Sequence, residues 1–308
     1  MRKSLIIPVF LFLLSGCLEK NEFATALGTD PLTQNGEIFI SEDGEEYWMG
    51  CENSYCYGFS GGIPGSIKTL QNLRIPDNLP ASHDLSNFLP EVENQGRLGS
   101  CTAWATAYYG RSLLHNFSQG SSRAQAVTLS PSFIYNQITK GQCKGTSIFQ
   151  SLQLLVEEGT SEWEVFPYQS TGCNLQPSPE QRENASNFKM KDFLILSGQN
   201  MVAEVKTLLT QGNPVVVAMG LDREFGKKDA LGLSAYRPHQ VKKKEIYGSH
   251  AMLVVGYSDQ YHAFKLVNSW GSGWGDQGFV WVDYEAFENV FDPQNPFRVL
   301  CQALVVMN

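Results

Sequence analysis

Basic charge is scarce in this chain. Its 308 residues carry 23 Lys and Arg against 31 Asp and Glu, a formal net charge of −8 with an isoelectric point near 5.2. Lys227-Lys228 and Lys242-Lys243-Lys244 read as solvated loop charges. No basic stripe exists to follow a phosphate backbone, which excludes a nucleic-acid partner. Long apolar runs are also lacking: Leu5 to Leu14 is too short to stay in a bilayer as a permanent helix. No Cys-x2-Cys pair occurs and the five His do not cluster near cysteines, which argues against a zinc site or any other metal centre. The glycine run Gly271-Ser272-Gly273-Trp274-Gly275 lacks the Lys-Ser/Thr and the strand-to-helix setting of a phosphate loop. There is no internal repeat and no low-complexity block. Charged residues at 18% are too few for a disordered chain, and 42% hydrophobic with 12% aromatic residues is enough for a sizeable core.

What is present begins with a leader. Arg2 and Lys3 precede the short apolar run, and Leu14-Ser15-Gly16-Cys17 resembles a bacterial lipobox. Residues 1–17 then form a lipoprotein signal, cut before Cys17, with Cys17 lipidated. The expected location is a bacterial cell envelope, lipid-anchored. Leu18 stands where an Asp would retain such a protein, so in a Gram-negative cell the anchor belongs to the outer membrane, facing the periplasm. Residues 18–46 are polar and read as a flexible tether. Residues 47–78 hold Tyr47, Trp48, Cys51, Tyr55, Cys56, Tyr57 and Phe59, a density of aromatics that implies packing against something. This segment is an inhibitor, a docking lobe or a spacer. The main domain spans 79–308. Of seven cysteines, setting aside Cys17 and the candidate nucleophile Cys101 leaves five, an odd number that cannot pair completely, and export favours one or two bridges.

The domain changes pattern partway. Helical periodicity marks Thr102 to His115, Phe149 to Val156 with Gly159 as its stop, and Val202 to Leu209. Strand-like runs follow at 215–219, 251–257, 263–267, 279–282 and 303–307. A helical half before a strand-rich half gives an α+β fold with a cleft between the halves.

Chemistry gathers at two stretches. In Asn94-Gln95-Gly96-Arg97-Leu98-Gly99-Ser100-Cys101 the thiol stands directly before an Ala-rich helical run. A helix N-terminus lowers a thiol pKa from ~8.5 toward the range where thiolate exists at neutral pH. His250 opens a strand-like run, and Asn268 ends the next one 18 residues later. Antiparallel pairing of those runs brings imidazole and amide together. An Asn oxygen accepting from the ring N–H fixes its tautomer.

Gln95, Cys101, His250 and Asn268, in that order and with His250 149 residues after Cys101, resemble the papain family of cysteine peptidases. The resemblance covers about residues 79–308. It implies a two-lobed fold: a helical left lobe at about 95–200 and an antiparallel β-barrel-like right lobe at about 201–308, with the cleft between them. It implies peptide hydrolysis through a thioester, with Cys101, His250 and Asn268 catalytic and an oxyanion hole made by Gln95 and the Cys101 N–H. Trp270 shields the His–Asn bond, and Gly145, Thr146 and Ser249 bind substrate backbone. A protein or peptide is the substrate, no cofactor is needed, and the chain acts as a monomer.

Two positions depart from the family's pattern. Leu98 replaces a common cysteine, and Thr102 replaces an aromatic. Leu98 removes the partner that Cys143 would otherwise take, which pairs Cys143 with Cys173; Cys51 with Cys56 is the second pairing considered. Transpeptidation, cell-wall peptide hydrolysis and a non-catalytic envelope binding role remain open alternatives.

Overall fold

The computed structural model describes residues 38–52, 68–196, 200–240, 246–288 and 299–308. The leader with Cys17, and Cys56, lie outside these residues.

The long helix α1 organises the helical half. It starts as an α-helix at Cys101–Ala103, widens to π-helical turns over Trp104–Arg111, and returns to α-helix over Ser112–Gln119. Gly120, in the left-handed conformation at φ 67°, ends it. Its first eleven residues are all buried. Small residues permit that depth: a Cβ at Gly110 would stand 3.0 Å from the Ala105 carbonyl and 3.6 Å from Leu253. Around α1 lie α2 (Pro131–Thr139), α3 (Ile148–Glu157) and α4 (Pro179–Ser186). α2 and α4 lack a strong apolar stripe, so periodicity misses them. Both instead carry Ser at the N-cap and Pro at the first helical position, and Ser178 with Gln181 forms a capping box. α5 (Met201–Thr210) packs on the sheet.

A two-stranded hairpin pairs β1 (Ile38–Ile40) with β2 (Glu46–Trp48). The remaining strands are β3 (Ser82–Asp84), β4 (Asp192–Ile195), β5 (Val215–Leu221), β6 (Lys227–Lys228), β7 (Ser234–Tyr236), β8 (Gly248–Ser258), β9 (Ala263–Val267), β10 (Phe279–Asp283) and β11 (Leu300–Met307). They form one nine-stranded sheet in the order β4-β11-β5-β8-β9-β10-β7-β6, with β3 paired to β8. The central strands β5 and β8 are buried at every residue, which is why they read as continuous apolar runs without alternation.

Three expectations are corrected. The sheet is open and does not close into a barrel, and the β7–β10 pair is parallel in an otherwise antiparallel arrangement. The two lobes are not separate in sequence: β3, which precedes the helical lobe, and β4, which lies within it, both add to the sheet. The tether read over 18–46 ends in structure, because Phe39 is buried and Gly44, at φ 84°, closes the hairpin turn.

Cys143 and Cys173 form a disulfide, with Cα atoms 5.5 Å apart. Cys51 is not disulfide-bonded, so it does not pair with Cys56; its backbone is committed elsewhere, as described below.

Candidate active site

Cys101 is the first residue of α1. Ser100 precedes it but does not cap the helix with its side chain. Its hydroxyl instead donates to Tyr168 Oη at 2.7 Å, and Tyr168 donates in turn to the Gln95 carbonyl at 2.7 Å. The positive end of α1 is therefore not neutralised by its own N-cap and acts on the thiol.

His250 lies on β8, opposite Met219 of β5, and the first turn of α1 packs against β8. A bulge between Val254 and Gly256 shifts the β8–β9 register by one residue. Beyond β9 the chain returns Asn268 to the imidazole: His250 Nε2 donates to Asn268 Oδ1 at 2.7 Å. That oxygen also accepts the Ser269 N–H at 2.7 Å, which fixes the amide's orientation. With Nε2 as donor, the neutral ring carries its lone pair on Nδ1, which is buried and has no hydrogen-bond partner among the described residues. Burial pushes His250 down to about 4, partly offset by the Asn268 bond. Trp270 covers the pair, its ring 4.6 Å from the imidazole.

Gln95 is buried and held at both ends of its amide. Nε2 donates to the Leu98 carbonyl at 2.8 Å, and Oε1 accepts from Ser269 Oγ at 2.5 Å. One N–H of the amide remains. Backbone bonds join this segment to the other lobe: Gln95 N–H to Ser269 O at 2.8 Å and Gly271 N–H to Glu93 O at 3.2 Å. Ser269, Ser100 and Tyr168 thus position the predicted residues, and sequence reasoning missed all three. Ser269 was open to inference, because it stands between Asn268 and Trp270. The contacts of Ser100 and Tyr168 had no local signal.

Residues 47–52 of the chain lie across the cleft as a strap. Tyr47 stacks on Trp270 with ring centroids 4.9 Å apart, and the Trp48 carbonyl accepts from Trp270 Nε1 at 3.0 Å. Phe39, opposite Tyr47 in the hairpin, also stacks on Trp270 at 5.2 Å. Further on, Thr146 N–H donates to Gly50 O and Glu52 N–H to Thr146 O, both at 2.9 Å, while Cys51 N–H donates to Ser249 O at 3.1 Å. The strap therefore bridges both lobes, running parallel to the Thr146 segment. Ser249 and Thr146, read as substrate-backbone residues, bind the strap through main-chain groups. Gly145 contributes space: a Cβ there would come within 2.9 Å of Gly50 O. Met49, Gly50 and Cys51 are buried in succession and Glu52 is exposed, so the strap is deepest at its middle.

A family profile described as papain family cysteine protease matches residues 76–290. The chain belongs to the papain family. Among curated relatives, it is 27% identical over 221 residues to a viral cathepsin of Adoxophyes honmai nucleopolyhedrovirus, covering 68% of this chain and 58% of that protein. A cysteine protease of Blomia tropicalis is 27% identical over 206 residues, covering 63% and 58%. The chain thus spans less than two thirds of the length of these relatives. Its fold is similar to that of xylellain, a cysteine protease from Xylella fastidiosa, with TM-score 0.67 and 22% identity over 84% of this chain and 97% of that one. Digestive procathepsin L2 of Tenebrio molitor larval midgut superposes with TM-score 0.63 at 20% identity, covering 85% and 84%.

Proposed function

We propose that this papain-family protein is a thiol endopeptidase, anchored by lipid at a bacterial envelope, and kept latent by its own residues 47–52. The carrying observation is the His250 Nε2 to Asn268 Oδ1 bond, which leaves the basic Nδ1 for the thiol of the Cys101 helix end. In this reading Nδ1 takes the Cys101 proton, and the thiolate attacks the peptide carbonyl. The remaining Gln95 N–H and the Cys101 N–H stabilise the oxyanion. Collapse breaks the C–N bond, His250 returns the proton to the leaving amine, and a thioester remains. His250 then deprotonates water, which attacks the thioester and restores the thiol.

Latency is supported by occupancy: the strap already uses Thr146 N–H, Thr146 O and Ser249 O, the main-chain groups that hold a peptide by strand addition. With the strap in place, Cys101 and His250 are both fully buried. Anchoring rests on the lipobox pattern ending at Cys17.

The test is turnover of peptides blocked at both ends, read by product mass, with labelling by an epoxide thiol reagent. Cys101→Ala is expected to lose both. Labelling of Cys101→Ala equal to wild type, or cleavage confined to unblocked ends, would overturn the reading.

A further inference from the structure

Thr102 departs from what is usual in the papain family, and the structure brings it together with Thr146. Thr102 follows the nucleophile on α1, and its Oγ1 is hydrogen-bonded to Thr146 Oγ1. Ser151 of α3 donates to Thr102 Oγ1 at 3.4 Å, and Thr106 Oγ1 donates to the Thr102 carbonyl at 2.7 Å. Thr102, Thr146 and Ser151 are each at most 1% exposed. Buried hydroxyls that find one another form a fixed contact, because no water competes for them.

Thr146 offers both the N–H and the carbonyl that bind the strap. It sits in a segment whose ends are anchored, by the Cys143–Cys173 disulfide on one side and by the Ser147–Gln150 capping box of α3 on the other. Between them, Tyr135 Oη donates to the Lys144 carbonyl at 2.9 Å. The Thr102 bond is the side-chain contact that ties the edge residue itself to the helix carrying Cys101.

Resting on the peptidase reading above, we propose that Thr102 and Thr146 are a positioning pair: their hydroxyl bond sets the height of the peptide-binding edge over the Cys101 thiol. A peptide laid on Thr146 then presents its carbonyl at the depth that the nucleophile requires. Displacement by a fraction of an ångström disfavours attack without unseating the triad. Leu98 leaves no cysteine to brace this edge, and the hydroxyl pair takes over that bracing.

The test uses the full chain carrying Gly50→Ala, which displaces the strap by a clash with Gly99 argued below. Two substrates are compared. One is a capped peptide with three residues on the acyl side, and the other is 4-nitrophenyl acetate, which has no amide for the edge to hold. Thr102→Val and Thr146→Val are each expected to lower kcat/KM for the peptide about 3- to 10-fold, the scale of one ordinary hydrogen bond. For Thr102→Val the acetate rate stays unchanged.

A triple variant, Thr102→Val with Thr146→Val and Ser151→Ala, removes every hydroxyl of the cluster and leaves none unpaired. It is expected to regain the parent's thermal midpoint yet keep the loss on the peptide. Recovery of peptide turnover together with the midpoint, or an equal fall on both substrates, would overturn the pair's role. Peptide cleavage by the Gly50→Ala parent reports on the peptidase reading separately, since the ratio between the substrates is what measures the pair.

Discussion

His250 shows how one hydrogen bond and one degree of burial set a residue's state. Its Nε2 is committed to Asn268, and burial holds its pKa near 4, below the ordinary 6.5. The ring is therefore neutral in the closed form at neutral pH. Any form that exposes the ring binds a proton more readily. Between about 6.5 and about 4 the exposed form takes up more protons than the closed one. The stability that neutral His250 lends to the closed form is complete above that window and is lost as pH falls through it. Hydrogen exchange of the strap amides of Cys51 and Glu52, corrected for its intrinsic pH dependence, is expected to quicken from pH 7 to pH 5. His250→Gln should flatten that dependence, and a profile unchanged by the substitution would count against it. Gln95 is expected to act at a different step. Gln95→Ala removes the proposed oxyanion donor and is expected to cost roughly 10²–10³ in kcat, by analogy with other oxyanion holes. Alkylation of Cys101 should survive, because the helix end and His250 stay in place; parallel loss of alkylation and turnover would place Gln95 in structural support instead.

Besides its hydrogen bonds to Thr146, Ser249 and Trp270, the strap is held by one close fit and one stack. At the close fit, a Cβ on Gly50 would stand 2.3 Å from Gly99 Cα, and the clash is with backbone that cannot rotate away. Overpacking of that kind costs roughly 1–3 kcal/mol. The open population in Gly50→Ala then rises about 5- to 150-fold. The rate of Cys101 alkylation measures that rise, and an unchanged rate would show that the strap does not limit access. The stack joins Tyr47 and Phe39 to Trp270, with Phe225 and Trp274 beside them. Legibility divides along the same line. Strands such as β5 and β8 announce themselves as apolar runs, and α1, α3 and α5 by their period, because burial of one face dictates those residues. The meeting of His250 with Asn268, and the place of Cys101 at a helix start, were legible because adjacent strand runs and a helical run were. The strap was not: Gly50 reveals nothing until Gly99 and Gly145 are known to face it. Only the aromatics at 47 and 48 signalled that something lay beneath. The barrel-like lobe was an implication of the family resemblance; nothing in the strand runs says whether β4 and β6, the two edges of the sheet, meet.

At the scale of the whole molecule, the lobes are sewn together directly through the site. The segment 93–96 of the helical half bonds to 269–271 of the strand half, and the strap crosses between Thr146 and Ser249 on the open side. Chemistry and cohesion thus share the same seam. The proposed anchor adds a constraint from charge. With a formal net charge of −8, the chain is repelled by an anionic membrane surface. Its basic runs, at 227–228 and 242–244, are too short to offset that repulsion. The proposed attachment would therefore depend wholly on acyl chains at Cys17, and more than one chain would make it stable. Cys17→Ala in the full-length protein, expressed in a bacterium, is expected to move the protein from the membrane fraction to the soluble fraction and to abolish incorporation of labelled palmitate. The latent state should be unaffected, because the described contacts that hold the strap are with Thr146, Ser249 and Trp270. Persistence of the variant in the membrane fraction after a carbonate wash would show a second means of attachment, and would remove Cys17 as the determinant of where this protein resides.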